Sequence, residues 1–348
     1  MSALRRLRDE RNPIGFDPAV WEEMVAMGWT SLTISEDYGG MDFGYTGMGQ
    51  ILEECGRTLV ASPLVSTVLF GATIIEQLGA ETQKLDCLNK IAEGQLQLAL
   101  AIDDTKHHRP GSITTTATAV DGGFVINGQK SFVRDGHTAQ MIILVACLED
   151  GVGLFLVPSE QAGVKIERTI MMDSRNAAEI SFDNVQISAD ALIGGTSISQ
   201  DKLDYVLDIA RIGLSAEMLG IMQEAFERTL AYLKEREQFG VKIGSFQALQ
   251  HRTVLMYFNV ELCKSLVLKA LHAIDSGEEN LAEIASTTKA KCCQAIQHIT
   301  NESIQLFGGI GMTDEADIGF FLKRARVIQH TLGNANFHLD RLAKVRGY

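Results

Sequence analysis

The chain has 348 residues, of which 46% are apolar and 22% charged, a composition typical of a folded globular protein rather than a disordered one. Its formal net charge of −13 argues against nucleic acid as a partner, and no apolar run is long enough to span a membrane. The six cysteines lack metal-type spacing, so we expect no metal and reduced, mostly buried thiols in a cytoplasmic protein.

Residues 1–96 are predicted to form a helical domain. Asp17-Pro18 is typical of a helix cap followed by a first helical position. Three more helices are predicted from apolar residues at helical spacing; they are Gly44 to Arg57, Pro63 to Leu78 and Thr82 to Ala92. Residues 1–11 carry four arginines, but no apolar core follows them, so we expect no targeting signal there.

Residues 97–195 show short strand patterns separated by turn residues, which predicts a small β-barrel or sandwich. Asn127-Gly128 lies within one such pattern, Phe124 to Phe132, and predicts a turn between two short strands. The segments Ala178 to Phe182 and Val185 to Ile187 are predicted as two further strands.

Residues 196–348 are predicted to form a four-helix bundle with short connections. Its four long segments carry apolar residues at helical spacing; they are Leu203 to Lys234, Gln247 to Asp275, Asn280 to Phe307 and Asp314 to Leu332.

Two glycine-containing stretches interrupt the helical pattern of this bundle. The first, Lys234 to His251, ends a helix in basic residues and continues through Gly240 and Gly244, which by itself is typical of a helical hairpin turn. The second, Gln305 to Gly311, contains three glycines in a helical region. Backbone amides freed at such a break suit an anionic group, typically a phosphate. Together the two stretches suggest a shared nucleotide ligand.

In this order, the two stretches resemble the motifs of the acyl-CoA dehydrogenase family of flavoproteins. The matching residues are Arg236, Gln238, Phe239, Gly240, Ile243, Phe246 and Gln247, followed by Gln305, Gly308, Gly309 and Gly311. The resemblance implies an α+β multidomain fold with a helical N-terminal domain, a β-barrel or sandwich middle domain and a C-terminal four-helix bundle. It also implies FAD as cofactor. In the family, these two stretches hold the pyrophosphate and adenosine of the FAD that belongs to a neighbouring subunit.

Further cofactor contacts follow from the same resemblance. Phe132 stands where the family has an aromatic residue that stacks on the isoalloxazine ring, and Arg134 replaces a threonine near flavin N5. Arg134 could stabilise reduced flavin, obstruct the flavin or point to solvent. Asn334 and Asn336 follow Gly333, where the family places polar contacts.

The implied reaction is α,β-dehydrogenation of an acyl-CoA thioester. Asp208 and Arg211 match the family's Asp-x-x-Arg near the substrate, although an intrahelical ion pair would also explain their spacing. Ser112 matches the family pattern, but most of the loop that precedes it does not. We therefore expect an acyl-CoA pocket that differs from that of a typical member. His107 and His108 in this loop are interpreted as solvated residues rather than metal ligands.

The glutamate base of the family is missing. Leu332 and Ala210 occupy its two usual positions, and neither side chain can accept a proton. Asp208, Asp104 and Glu217 are conceivable substitutes, but each is interpreted as a surface residue. The sequence therefore predicts a chain whose catalytic base is unknown or lies elsewhere.

Three further segments resemble the small-subunit type of the family, as in pimeloyl-CoA or steroid-CoA dehydrogenase heteromers; they are residues 130–136, 173–177 and 333–339. This predicts one subunit of an α2β2 tetramer in β-oxidation or related lipid metabolism, with a base-bearing partner and an electron-transfer flavoprotein as acceptor. Two alternatives stay open: a non-catalytic subunit that binds acyl-CoA or a partner, and a homotetramer that uses an unrecognised base such as Asp208.

Overall fold

The N-terminal part of the chain is helical, as predicted. A computed structural model describes residues 1–348. The helices are α1 (Ser2–Asp9), α2 (Pro18–Ala26), α3 (Gly44–Thr58), α4 (Thr73–Leu78) and α5 (Glu81–Ala92), with a π-helical segment, Val65–Ala72, directly before α4. Asp17 Oδ1 accepts the Ala19 N–H at 3.1 Å, which confirms the predicted cap of α2. Helix α1 was not predicted from the sequence.

The middle of the chain forms one seven-stranded mixed sheet. Its strands are β1 (Leu98–Ala101), β2 (Thr116–Val120), β3 (Gly123–Arg134), β4 (Met141–Leu148), β5 (Gly151–Pro158), β6 (Val164–Ile170) and β7 (Asn176–Ser188). The order is β1-β4-β2-β3-β7-β6, and β5 also pairs with β4. Strand β4 is buried along most of its length, and Leu144, Phe155 and Ile180 lie in the same apolar core.

The turn predicted at Asn127-Gly128 is wrong, because β3 runs through it without a break. The extra residue lies on the facing strand: Ile126 pairs with Val185 and Gly128 with Phe182, so β7 bulges between them. Asn127 Oδ1 accepts the Asn184 N–H at 2.8 Å, which satisfies an amide in the bulge. The two strands predicted between residues 178 and 187 are likewise one strand, β7.

The C-terminal part is a helical bundle. Its helices are α6 (Gln200–Glu235), α7 (Gln247–Asp275), α8 (Leu281–Phe307), α9 (Ile318–Ile328) and α10 (Ala335–Val345), and a hairpin of β8 (Glu237–Gln238) and β9 (Val241–Lys242) joins α6 to α7. The fourth predicted helix ends at Ile328, earlier than expected. A separate α10 begins after Asn334, whose Oδ1 accepts the Phe337 N–H at 3.1 Å. The order of helices, strands and helices confirms the predicted α+β fold class.

The chain divides into two compact units. The first contains Met1–Arg5, Tyr45–Val60 and Arg211–Tyr348, and the second contains Arg6–Gly44 and Ala61–Ala210. None of the helices combines the length and the apolar character that crossing a membrane would require.

Candidate functional site

The first motif forms a tight hairpin that displays an aromatic ring. Phe239 and Gly240 are the two loop residues between β8 and β9, with φ angles of 58° and 78°. Positive φ at both loop positions is characteristic of a type I′ turn, which favours Asn-Gly and rarely accepts a bulky residue. The Phe239 side chain is 90% exposed. Local structure therefore holds this ring away from the core.

The polar residues of this hairpin keep free hydrogen-bond donors. Arg236 is exposed and its guanidinium has no partner within the chain, while its backbone is fixed through Tyr232 O at 2.9 Å and Ile243 N at 2.9 Å. Gln238 Nε2 donates only to the neighbouring Glu237 carbonyl at 2.7 Å. A fixed backbone with an unengaged guanidinium suits an anionic group such as a pyrophosphate.

The second motif begins where α8 ends. Gly308 has φ 67° and ψ −145°, a conformation that essentially only glycine adopts. A Cβ on Gly311 would lie 2.8 Å from the Ile304 carbonyl oxygen, so packing excludes a larger residue there. A Cβ on Gly309 would meet nothing within 4 Å. Packing within the chain therefore gives no reason for a glycine at position 309. The exposed backbone there is accessible to a ligand.

The structure brings the two motifs together. The ring of Tyr232, near the end of α6, stacks on Phe307 at the end of α8, with centroids 4.4 Å apart and planes 11° apart. The hairpin and the glycine-rich turn therefore leave neighbouring helix ends. Gln305 and Asn336 are also exposed, whereas the Asn334 side chain is used as the cap of α10. The exposed side-chain donors and the open backbone of the two motifs fit the pyrophosphate of a dinucleotide.

Phe132 projects from a bulge in β3. Lys130 pairs with Ile180 and Val133 with Ala178, which leaves one extra residue on β3 between them. Phe132 has φ 52° and is 47% exposed. Glu179 holds the bulge, because its carboxylate accepts from Ser131 Oγ at 2.7 Å and from Phe132 N at 3.4 Å. The ring is therefore presented on a supported backbone and fits a stacking role.

Arg134 does not point to solvent. It is 9% exposed, and its Nε lies 3.6 Å from Asp135 Oδ2. Asp135 Oδ2 also accepts the Ser66 hydroxyl at 2.7 Å. The cation is thus a fixed, largely buried charge two residues after Phe132.

A buried cluster of basic side chains holds the loop at the first base position. Leu332 is 5% exposed, with φ 55°. Its carbonyl oxygen accepts from Arg211 Nε at 3.3 Å and from His338 Nε2 at 3.1 Å. Lys289 Nζ donates to Gly333 O at 3.1 Å, and burial lowers the pKa of this lysine. The other base position, Ala210, is also buried and apolar.

The three conceivable substitute bases are not surface residues, so that expectation was wrong: Asp104, Asp208 and Glu217 are all buried. Glu217 Oε1 accepts from Arg324 Nε at 2.9 Å and Nη2 at 2.6 Å. Asp104 lies 2.6 Å from Lys130 Nζ. Burial acts to raise the pKa of Asp104, but its bonds to Lys130 and the Thr114–Thr115 segment outweigh this and lower it. Asp104 and Glu217 are therefore paired structural carboxylates.

The substrate candidates differ in exposure. Ser112 is exposed, whereas Asp208 and Arg211 are buried. The expectation of solvated histidines is correct only for His107. His108 Nδ1 lies 3.0 Å from Asp103 Oδ2, with its side chain almost fully buried.

Sequence reasoning missed several residues that shape these sites. Glu179 and the loop anchors Lys289 and His338 belong to strands and helices whose local pattern shows only amphipathic structure. Their roles depend on strand register and helix packing. For Lys289 and His338, the one available sequence signal was a polar residue among the apolar positions of a helical pattern.

Comparison with known proteins identifies the family of this chain. Models of the acyl-CoA dehydrogenase N-terminal, middle and C-terminal domains match residues 4–95, 103–185 and 203–346. Acyl-CoA dehydrogenase FadE12 of Mycobacterium tuberculosis is 29% identical over 328 residues, which cover 88% of this chain and 82% of that protein. Probable acyl-CoA dehydrogenase YngJ of Bacillus subtilis is 27% identical, covering 95% of this chain and 90% of the relative.

A solved structure, the Tcur3481-Tcur3483 steroid ACAD variant, superposes with a TM-score of 0.89 at 29% identity. The superposition covers 99% of this chain and 92% of that one. The three family models together account for most of the sequence. The chain therefore belongs to the acyl-CoA dehydrogenase family, whose members are oxidoreductases with FAD as cofactor.

Proposed function

We propose that this chain is one subunit of a heteromeric FAD-dependent acyl-CoA dehydrogenase and that a second subunit supplies the catalytic base. The proposal depends above all on Leu332, which is buried and apolar at the usual position of the base. Ala210, at the alternative position, cannot serve either. Glu217 and Asp104 are engaged by Arg324 and Lys130, so neither is available to remove a substrate proton.

The proposed cofactor residues fall into two groups. Those proposed for the pyrophosphate and adenosine of a neighbouring subunit's FAD are Arg236, Gln238, Phe239, Gln305, Gly308, Gly309, Gly311, Asn334 and Asn336. Phe132 is proposed to stack on the isoalloxazine ring, with Arg134 as a fixed cation close to it. When bound, FAD accepts the hydride that leaves the β carbon of the substrate. The free donors of Arg236 and Gln238 and the open backbone at Gly309 support this assignment.

Ser112 is proposed to contact acyl-CoA, because it is the exposed member of the three substrate candidates. Asp208 and Arg211 are also proposed as substrate residues, although both are buried. Arg211 in addition anchors the Leu332 loop. The domain boundaries 1–96, 97–195 and 196–348 and a cytoplasmic location are part of the same proposal.

An exposed apolar stripe supports an oligomer. Helix α7 presents large side chains that are 50–58% exposed; they are Val254, Leu255, Tyr257, Phe258 and Leu262. A contiguous apolar patch of this kind marks a protein interface. The steroid ACAD neighbour is named with two components, Tcur3481 and Tcur3483, which supports a heteromeric assembly. The proposed form of that assembly is α2β2, with a partner that carries the base. An electron-transfer flavoprotein is the proposed electron acceptor.

The test is co-expression with a base-bearing acyl-CoA dehydrogenase subunit encoded beside this chain. We expect the complex to contain flavin and to oxidise acyl-CoA with an artificial electron acceptor, while the chain alone shows little activity. Turnover by the chain alone at the rate of an ordinary dehydrogenase would overturn the proposal. A complex without flavin would favour the alternative, a non-catalytic binding subunit.

Arg236→Ala provides the matched test of the cofactor site. We expect it to lower the flavin content of the complex, because the pyrophosphate loses a charge-assisted donor. Lys234→Ala removes another exposed cation two residues away and should leave flavin content unchanged. Equal effects of the two substitutions would contradict a specific role for Arg236.

A further inference from the structure

A basic cavity of about 590 Å³ lies beside the end of α1. Arg8, Arg11 and Arg168 line it together with a single carboxylate, Asp9. Leu7 and Ile170 add an apolar wall. Three arginines and one aspartate thus line a single cavity, in a chain whose formal net charge is −13.

Arg11 occupies a position that usually belongs to glycine. The Asn12 N–H donates to Leu7 O at 3.1 Å and the Arg11 N–H to Arg8 O at 3.2 Å, which together form a Schellman motif at the end of α1. The left-handed residue of that motif is Arg11, with φ 47°. Glycine would adopt this conformation with less strain, so helix termination alone does not explain an arginine there.

Arg11 is also unpartnered among the arginines of this segment. Arg5 pairs with Asp314 and Asp317, Arg6 with Asp17, and Arg8 with Asp9, each with an N–O distance between 2.7 and 2.9 Å. The Arg11 guanidinium has neither an ion pair nor a hydrogen bond within the chain. Its charge is therefore available to a ligand in the cavity.

Arg168, which also lines the cavity, is held in place by hydrogen bonds. Arg168 Nε donates to Asn176 Oδ1 at 2.9 Å, and its Nη2 donates to the carbonyl oxygen of Asn12. Asn12 Oδ1 in turn accepts the Ile14 and Gly15 amides at 2.9 and 3.0 Å. These bonds fix the Arg168 guanidinium in the absence of a ligand, so binding would cost less side-chain entropy at this residue.

We propose that this cavity binds a phosphate-bearing small molecule, independently of the flavin and acyl-CoA sites. Guanidinium groups match phosphate oxygens in both charge and geometry. The volume lies in the range of roughly 300–1,000 Å³ that is usual for small-molecule sites. The mixture of guanidinium groups with Leu7 and Ile170 suits an anionic head attached to a less polar body.

Calorimetric titration of the flavin-loaded protein tests this proposal, because bound flavin keeps a phosphate probe out of its own site. Pyrophosphate and adenosine monophosphate are the probes, and sulfate at equal ionic strength is the control anion. We expect saturable binding of at least one phosphate probe and weaker binding of sulfate. Tighter pyrophosphate binding would identify an inorganic ligand, and tighter nucleotide binding an organic phosphate ester.

Arg11→Gly separates ligand binding from folding. Because glycine suits the left-handed position, the melting temperature should stay equal or rise. Phosphate affinity should fall by about tenfold through loss of one charge-assisted contact. Lys269→Ala, which removes an exposed cation on α7, should leave the affinity unchanged.

Three results would overturn the proposal. The first is the absence of saturable phosphate binding. The second is an affinity that Arg11→Gly leaves intact. The third is an equal loss in Lys269→Ala, which would indicate diffuse electrostatic attraction instead of a site.

Discussion

His338 Nε2 donates to the carbonyl oxygen of Leu332 across 3.1 Å. This bond places the proton on Nε2 and leaves the Nδ1 lone pair buried without a partner. Burial, together with the nearby charges of Lys289 and Arg211, lowers the pKa of His338 to about 2. The loop at the family's usual base position is therefore held by a histidine that stays neutral in the folded protein.

This histidine makes stability depend on pH. In the unfolded chain a histidine titrates near pH 6.5, so below that pH the unfolded state binds one more proton than the folded state. Stability contributed by neutral His338 is complete above pH 6.5 and falls by about 1.4 kcal/mol per pH unit below it. Between pH 6.5 and 5.0 the expected loss is roughly 2 kcal/mol.

Urea denaturation at pH 7.5 and 5.0 measures this effect. His338→Gln keeps a donor for the Leu332 carbonyl but does not titrate, so its loss of stability on acidification should be smaller. His251→Gln, at an exposed position, should behave like the unchanged protein. An identical pH dependence in all three proteins would rule out His338 as the source.

Leu332→Glu should create a catalytic base. The loop backbone is already held by Arg211, His338 and Lys289, so the new carboxylate would start from the family's base position. General-base catalysis contributes on the order of a hundredfold or more, and we expect a gain of that size in acyl-CoA oxidation by the flavin-loaded chain alone. Dye reduction measures it. Leu332→Gln has the same shape without a proton acceptor, and a similar gain in that variant would contradict the explanation.

Glu179 should act as a positioning residue for Phe132. In Glu179→Ala the Ser131 hydroxyl and the Phe132 amide lose their acceptor, so the bulge that presents the ring loosens. We expect FAD affinity to fall by roughly tenfold, which corresponds to one charge-assisted bond, and the visible flavin spectrum to shift. Glu179→Gln should recover part of the affinity. Glu167→Ala, on the neighbouring strand β6, is the control and should have no effect.

The pair of Glu217 and Arg324 should matter for stability. Both side chains are buried, and breaking such a pair leaves an uncompensated charge, at a cost of about 3–5 kcal/mol. Glu217→Gln should therefore lower the free energy of unfolding by about 3 kcal/mol, as measured by chemical denaturation. Glu227 lies on the same helix as Glu217 and forms an exposed pair with Arg57 of α3. Glu227→Gln breaks that pair and should cost less than about 1 kcal/mol. Similar losses in both variants would show that the buried pair contributes no special stability.

The parts of the fold that the sequence predicted well are those with local signals. Helix α3 was predicted to within one residue because Met48, Leu52 and Cys55 recur at helical spacing and are all buried. The prediction of a turn at Asn127-Gly128 was wrong because this dipeptide is not specific to turns. Here Asn127 lies within a continuous strand and accepts a hydrogen bond from the bulge on the facing strand. Whether Asp104 and Glu217 lie on the surface could not be predicted, because their partners Lys130 and Arg324 are distant in sequence.

The exposed ring of Phe239 has a consequence for how this protein responds to concentration. If the hairpin completes the cofactor site of a neighbouring subunit, flavin binding and subunit association belong to one linked equilibrium. Dilution would then release flavin even when the free flavin concentration is held constant, and added flavin would oppose dissociation. The protein would lose its colour and its quaternary structure over the same range of concentration.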